Sequence, residues 1–219
     1  VDSVEQEMKE HVYSPKDFIV LYRTNAQSRS FEDVLRRRGI KYMIVGGVRF
    51  YQRKEIKDIL AYLKIIVNPD DTVSFTRAVS VPKRGIGAKT IEKLEKFASE
   101  KGISIVEAAA RVEEVISSGA ILKKLKKFSE ILQSISEMRG KTGLDEIGHA
   151  LVEKTRYKDY LIEEYPDTFE DRTNNVNELI TAMGEFENIT EEDDLSSFLG
   201  EISLMTDVDM WDEDEGCVT

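Results

Sequence analysis

From Pro69 to the C-terminus this 219-residue chain carries no run of alternating apolar and polar residues. It carries stretches of helical apolar spacing, cut at Gly85 and Gly87, Gly102, Gly119, Gly140 and Gly143, Pro166 and Gly184. A chain punctuated in this way can only build helices of roughly 10 to 20 residues joined by short turns. The spacing predicts helices over 72–80, 88–101, 103–112, 118–139, 144–154, 156–165, 172–186 and 194–206. The closing stretch "DVDMWDEDEGCVT" reads as a loop.

The first seventy residues read differently. "DFIVLYRT" (17–24) is a short apolar, β-rich run, expected as a buried strand. Asn25 is placed to cap a helix in which Ala26, Phe31, Val34 and Leu35 share a face and which Gly39 ends. "KYMIVGG" (41–47) reads as a second strand. Strand, helix and strand at this spacing form a βαβ unit with a parallel sheet. A further helix carries Ile56, Leu60, Leu63 and Val67 on one face and stops at Asn68-Pro69. The expected fold class is therefore mainly α, with a partial α/β (βαβ) segment leading into an all-helical part.

Charge is distributed unevenly. The formal net charge is −11, yet from Thr173 onward there are fourteen Asp or Glu and no Lys or Arg, which leaves 31 cations against 28 acids before that point. An acidic bulk balance thus does not exclude a nucleic-acid partner for the first part. The single cysteine, Cys217, cannot form an internal disulfide, which suits a reducing, cytoplasmic setting. No apolar run is long enough for a membrane span, and the N-terminus has no signal-peptide pattern and no initiator Met, so the chain reads as a piece of something longer.

Within this frame "VPKRGIGAKTIEKL" (81–94) stands out. A Gly-X-Gly turn between two helices resembles the helix-hairpin-helix pattern. Its glycines let backbone approach backbone, and the second helix offers free N–H groups and its positive dipole end to an anion. Lys83, Arg84, Lys89 and Thr90 surround Gly85, Ile86 and Gly87. Such a device holds sugar-phosphate backbone without reading bases; the competing reading is an ordinary helix corner with a glycine cap.

Three other groups invite a functional reading. Tyr22, Arg23, Thr24 and Asn25 end the first expected strand, where open α/β sheets bind ligands, although local chemistry alone favours a strand-to-helix turn with an Asn cap. Arg49, Phe50, Tyr51, Arg53 and Lys54 interleave cations with aromatics, as single-strand binders do, unless the rings are core. Glu55, Asp58, Asp70 and Asp71 are expected to be surface acids, the first two paired with Lys54 and Lys57. There is no zinc spacing, no nucleophile elbow and no G-x-x-x-x-G-K-[ST] phosphate loop.

The order of "FIVLYRTNAQSR", "VGGVRFYQRKEIKDILAYLKIIVNPDD", "SFTRAVSVPKRGIGAKTIEKL" and "DRTNNVNELI" resembles the UvrD/Rep/PcrA group of superfamily-one DNA helicases over nearly the whole chain. The resemblance implies that residues 1–84 are part of the second RecA-like motor domain (2A). Residues 85–206 would be the helical 2B subdomain, and 207–219 an acidic loop returning toward 2A. It implies a parent enzyme that hydrolyses ATP with Mg and moves 3′ to 5′ along single-stranded DNA in repair or replication. This piece would be inactive alone. Thr24, Asn25 and Asn68 would contact the single strand. Lys83, Arg84, Gly85, Ile86, Gly87, Lys89 and Thr90 would contact duplex DNA. Arg172, Asn175 and Glu178 match an R-x-x-N-x-x-E motif read as a buried polar brace. The partners implied are single-stranded and duplex DNA, the remaining motor domains of the same chain, and repair accessory proteins. The alternatives are a stand-alone helix-hairpin-helix module, an acidic protein-binding adaptor, or part of a helicase-nuclease.

Overall fold

A computed structural model describes residues 1–10, 13–45, 47–117, 119–189, 195–208 and 218. The molecule is mainly helical. Eleven α-helices are described: α1 (Asp2–Glu10), α2 (Ser28–Arg37), α3 (Lys54–Val67), α4 (Thr72–Ser80), α5 (Ala88–Lys101), α6 (Ile105–Ala110), α7 (Ala120–Ser136), α8 (Leu144–Thr155), α9 (Tyr157–Glu164), α10 (Phe169–Ile189) and α11 (Leu195–Val208). Each begins and ends for local reasons. Asp71 accepts from the Ser74 amide at 2.9 Å and caps α4, and Ser104 accepts from the Glu107 amide at 3.0 Å and caps α6. Gly102 takes the left-handed conformation that closes α5.

The apolar stripe of α3 is the centre of the packing. Ile56, Ile59, Tyr62, Leu63 and Ile65 are buried and face α4, α10 and α11. One continuous apolar core runs from Phe50 to Ile202 and crosses residue 84 without a break. α8 packs along α10, and α6 packs between α5 and α7 on the far side. No described helix is long and apolar enough to cross a membrane.

Two expectations are corrected here. Gly184 does not end a helix, because α10 runs through it to Ile189. The glycine instead makes room for α8: a Cβ at this position would lie 3.3 Å from the Asp145 Cβ. A residue without a side chain is compatible with a helix where a neighbour approaches this closely, at a modest propensity cost.

The second correction concerns the strands. Among the described residues no strand forms, and the only pairing is an isolated parallel bridge of Tyr42 with Val218. In it the Met43 amide donates to the Val218 carbonyl at 2.7 Å and the Val218 amide to the Lys41 carbonyl at 2.9 Å. The segment 17–24 is not buried, with Ile19 67% and Leu21 90% exposed. A strand is stabilised by partner strands along its edges, and among the described residues none pairs with this segment, although Phe18 and Val20 pack against the small cluster of Leu35, Ile40 and Val218. Phe31 and Leu35 of α2 line a cleft of about 280 Å³ shared with Leu21, Met43 and Val45. The helix therefore does lie over the two segments, as the periodicity implies. Most of the stretch expected as a terminal loop lies outside the described residues.

Candidate nucleic-acid interface

The corner between α4 and α5 is built around Arg84. The last carbonyls of a helix have no partner within it. One terminal nitrogen of Arg84 donates to the carbonyls of Ala78, Val79 and Pro82 at 3.0, 3.2 and 3.0 Å, and the other to the Tyr62 hydroxyl at 2.6 Å. The Tyr62 hydroxyl in turn donates to the Val81 carbonyl at 2.5 Å. The guanidinium lies 5.8 Å from the Tyr62 ring centre and 5.1 Å from that of Phe128. Burial pushes the Tyr62 phenol up to about 12, against the opposing pull of Arg84. Arg84, which the sequence places among the outward cations, thus fastens the turn from inside.

Ile86 is buried and plugs the turn into the core, so that Gly85 and Gly87 flank it on the surface. Gly85 has φ +67°, a conformation that side chains rarely adopt. Gly87 caps α5, its carbonyl accepting from the Thr90 and Ile91 amides at 2.9 and 3.3 Å. The amides of Ala88 and Lys89, both in exposed residues, have no acceptor among the described residues. Two unpaired N–H groups at the positive end of a 14-residue helix offer a favourable place for an anion. Lys89 is exposed and Thr90 half-buried. Lys83 is exposed but engaged: its ammonium donates to both Glu164 oxygens at 2.8 and 2.6 Å, and this carboxylate raises its pKa.

Sequence reasoning missed the residues that complete this corner. Lys124 of α7 comes within 3.4 Å of where a Cβ on Gly85 would stand. Lys127 of α7 and Lys154 of α8 line the same cleft of about 370 Å³. The run "KKLKK" is visible in the sequence, but its position beside a turn some forty residues earlier is not.

The remaining expected contacts lie elsewhere. Asn68 ends α3, exposed, with its side chain accepting from the Asp70 amide at 3.2 Å. It sits at the opposite end of α4 from the turn, and nine helical residues span about 13 Å. Thr24 and Asn25 are exposed at the entrance to α2. The Gln27 side chain accepts from the amides of Arg23 and Thr24, and the Asn25 carbonyl accepts from Arg53 at 2.9 Å.

The aromatic and acidic candidates of the first half are structural. Phe50 and Tyr51 are core residues and leave no ring for a base. Glu55 and Asp58 are 3% and 1% exposed, which corrects the expectation of surface ion pairs. Glu55 accepts from Arg172 at 2.5 Å and from Asn175 at 2.6 Å. Asp58 accepts from Arg77 and the Tyr157 hydroxyl, both at 2.8 Å, and from Lys54 at 3.2 Å. Burial and the neighbouring Asp58 carboxylate push the Tyr157 phenol far above its ordinary range. Arg53 reaches the Asn175 side chain at 2.9 Å, and Glu178 pairs with Arg29 at 2.7 Å. The R-x-x-N-x-x-E residues therefore brace α10 against α2 and α3. The buried face of α2 is itself charged, with Arg29, Glu32 and Asp33 below the surface, where its periodicity alone suggests an apolar one.

A helical body with this corner and this brace defines a class that the comparisons make specific. The UvrD-like helicase C-terminal domain matches residues 1–218. The ATP-dependent DNA helicase PcrA of Bacillus subtilis is 39% identical over 199 residues, 91% of this chain and 27% of that protein. Proteins of the same name from Staphylococcus epidermidis and Staphylococcus aureus are 36% and 35% identical, over 97% and 92% of this chain and 30% and 28% of theirs. The chain belongs to the UvrD-like helicase C-terminal domain family. It spans less than a third of the length of these relatives.

Proposed function

We propose that this chain is the DNA-holding part of an ATP-dependent DNA helicase. The α4–α5 corner and the helical subdomain over residues 85–206 grip duplex DNA through its phosphates, in the manner of a helix-hairpin-helix turn. Residues 1–84 contribute part of a second RecA-like motor domain, 2A, and touch the single strand through Thr24, Asn25 and Asn68. The observation that carries this reading is the turn with Gly85 and Gly87 on the surface and two amides without an acceptor among the described residues, beside Lys89, Lys83 and Lys124. A grip made of backbone amides and lysines accepts any sequence, as a motor that passes along DNA requires.

The open cleft below α2 supports the motor-domain assignment. Apolar residues exposed on two extended segments are what sheet strands present when their neighbours belong to other parts of a parent chain. The same surface argues against a stand-alone module. ATP and Mg are assigned to the parent enzyme, because the phosphate loop that would hold them is not in this sequence. This chain alone accordingly neither hydrolyses ATP nor unwinds DNA. In the parent, translocation runs 3′ to 5′ in repair or replication, in the cytoplasm and alongside accessory proteins.

Fluorescence anisotropy with labelled duplex and single-stranded DNA at two salt concentrations tests the grip. Duplex binding is expected, with affinity falling steeply as salt rises. Gly87→Asp places a carboxylate on the free amides. Asp is a good N-cap, so folding is retained while duplex binding is lost. Duplex binding unaffected by this substitution would refute the assignment. Unwinding of 3′-tailed but not 5′-tailed duplexes by the intact parent tests polarity.

A further inference from the structure

We propose that the duplex grip extends from the turn onto α7, where Lys124 and Lys127, with Lys154 of α8, form a second phosphate-binding shelf whose counter-ion in the absence of DNA is Glu164, acting through Lys83. The inference rests on the duplex-binding reading of the Gly85 turn and adds residues and a competing anion to it.

Lys124 and Lys127 lie three residues apart and so share one face of α7. They and Lys154 are exposed, and none of the three has a carboxylate within ion-pair distance among the described residues. The contrast with their surroundings is informative. Lys126, between the first two, is paired with Glu113. Arg156 at the same cleft is paired with Asp159 at 2.7 Å, and Lys83 with Glu164 at 2.6 Å. Asp159, Glu163 and Glu164 line the same cleft, yet among the described residues none of them is within ion-pair distance of the three lysines. Their mutual repulsion is unfavourable and is relieved by a polyanion.

The cleft also says which nucleic acid. Single strands are held by stacking bases on exposed rings. The two rings lining this cleft, Phe128 and Tyr160, are both buried. The unpaired ammonium groups of the cleft adjoin the amides of the turn, since Lys124 stands against Gly85. Together they fit the sugar-phosphate backbone of a duplex. Glu164 sits at the edge of the cleft on Lys83, a cation shared by the turn and the shelf. Bound DNA must displace this carboxylate, so Glu164 lowers affinity and sets a threshold for engagement.

The test uses the full 219-residue chain and a labelled 20-base-pair duplex, titrated at several salt concentrations. Lys124→Ala with Lys127→Ala is expected to weaken binding about tenfold. It should also make the log–log salt dependence shallower by about 1.8, or about 0.9 for each phosphate contact removed. Lys124→Gln with Lys127→Gln serves as a second pair, and thermal melting verifies that both variants fold. Glu164→Gln is expected to tighten binding several-fold. Wild-type affinity and salt slope in both lysine pairs would overturn the shelf, and unchanged affinity in Glu164→Gln would overturn the counter-ion. If Gly87→Asp abolishes binding while the lysine pairs do not affect it, the turn stands and the shelf fails. If the lysine pairs weaken binding while Gly87→Asp does not, the shelf stands and the reading of the turn fails. Inorganic phosphate that displaces the duplex at matched ionic strength and low millimolar concentration would make a free anion the ligand and overturn the duplex assignment.

Discussion

The junction of α2, α3 and α10 and the corner between α4 and α5 are both rich in charge, and they treat it in opposite ways. At the junction the buried charges meet partners inside the protein: Glu55 has Arg172 and Asn175, Asp58 has Arg77, Lys54 and Tyr157, and Arg29 has Asp33, Glu178 and Glu185. At the corner Arg84 is satisfied inwardly, and Lys89, Lys124, Lys127 and Lys154 are exposed with no ion-pair partner among the described residues. A buried charge that loses its partner is costly, so the junction is a fixed brace. Exposed cations beside unpaired amides cost little when empty and gain when an anion arrives, which is why the corner is the surface proposed to bind DNA. The lesson concerns satisfaction more than charge count: function is to be sought where the chain has left its own groups unanswered.

The sharpest way to break this contrast is to remove a junction acid. Glu55→Ala leaves the buried Asn175 amide without its acceptor and takes from the half-buried Arg172 its carboxylate partner, and is expected to cost about 3 kcal/mol, read as a lowered denaturant midpoint. Arg84→Ala comes next. It strips the α4 carbonyls and Tyr62 of their donor and should cost about 2–3 kcal/mol, so any loss of DNA binding accompanies a loss of stability. Lys83→Ala separates the two regions further. Its side chain is 70% exposed, and the pair with Glu164 is a surface one. Its melting temperature should stay within about 2 °C of wild type, while duplex binding weakens about two- to threefold with a salt slope shallower by about 0.9. The smallest effect concerns pH. Tyr62 titrates near 12 in the folded protein against 10.0 for an ordinary phenol. Because the folded value is the higher, its contribution is fully present below pH 10 and is lost as pH rises through about 12. Tyr62→Phe should therefore flatten the alkaline loss of stability in that window, followed by circular dichroism.

Most of the helical body was legible because apolar periodicity and glycine punctuation are local. α4 and α5 begin and end where spacing places them, and α8 and α9 within a residue or two. Long-range features were not. Glu55 and Asp58 look like surface acids beside lysines, since their partners Arg172 and Tyr157 stand 117 and 99 residues away. The brace was legible only through the R-x-x-N-x-x-E pattern, and its counterpart Glu55 carries no signal of its own. Gly184 reads as a stop because spacing cannot tell a helix end from a helix crossing. At the candidate site, the turn and its cations were legible as a motif, but Arg84 pointing inward and Lys124 arriving from α7 depend on tertiary packing. The stretch 17–24 reads as a strand by composition, yet no strand forms there among the described residues, because composition does not show whether a partner strand is at hand.

The measurement that bears most directly on the account is duplex binding by Gly87→Asp, made together with its thermal unfolding. The account predicts a protein as stable as wild type, or more stable by a few tenths of a kcal/mol through the added cap, whose duplex affinity has fallen at least tenfold. A Gly87→Asp protein that folds and still binds duplex DNA with the affinity and salt dependence of the wild type would contradict it.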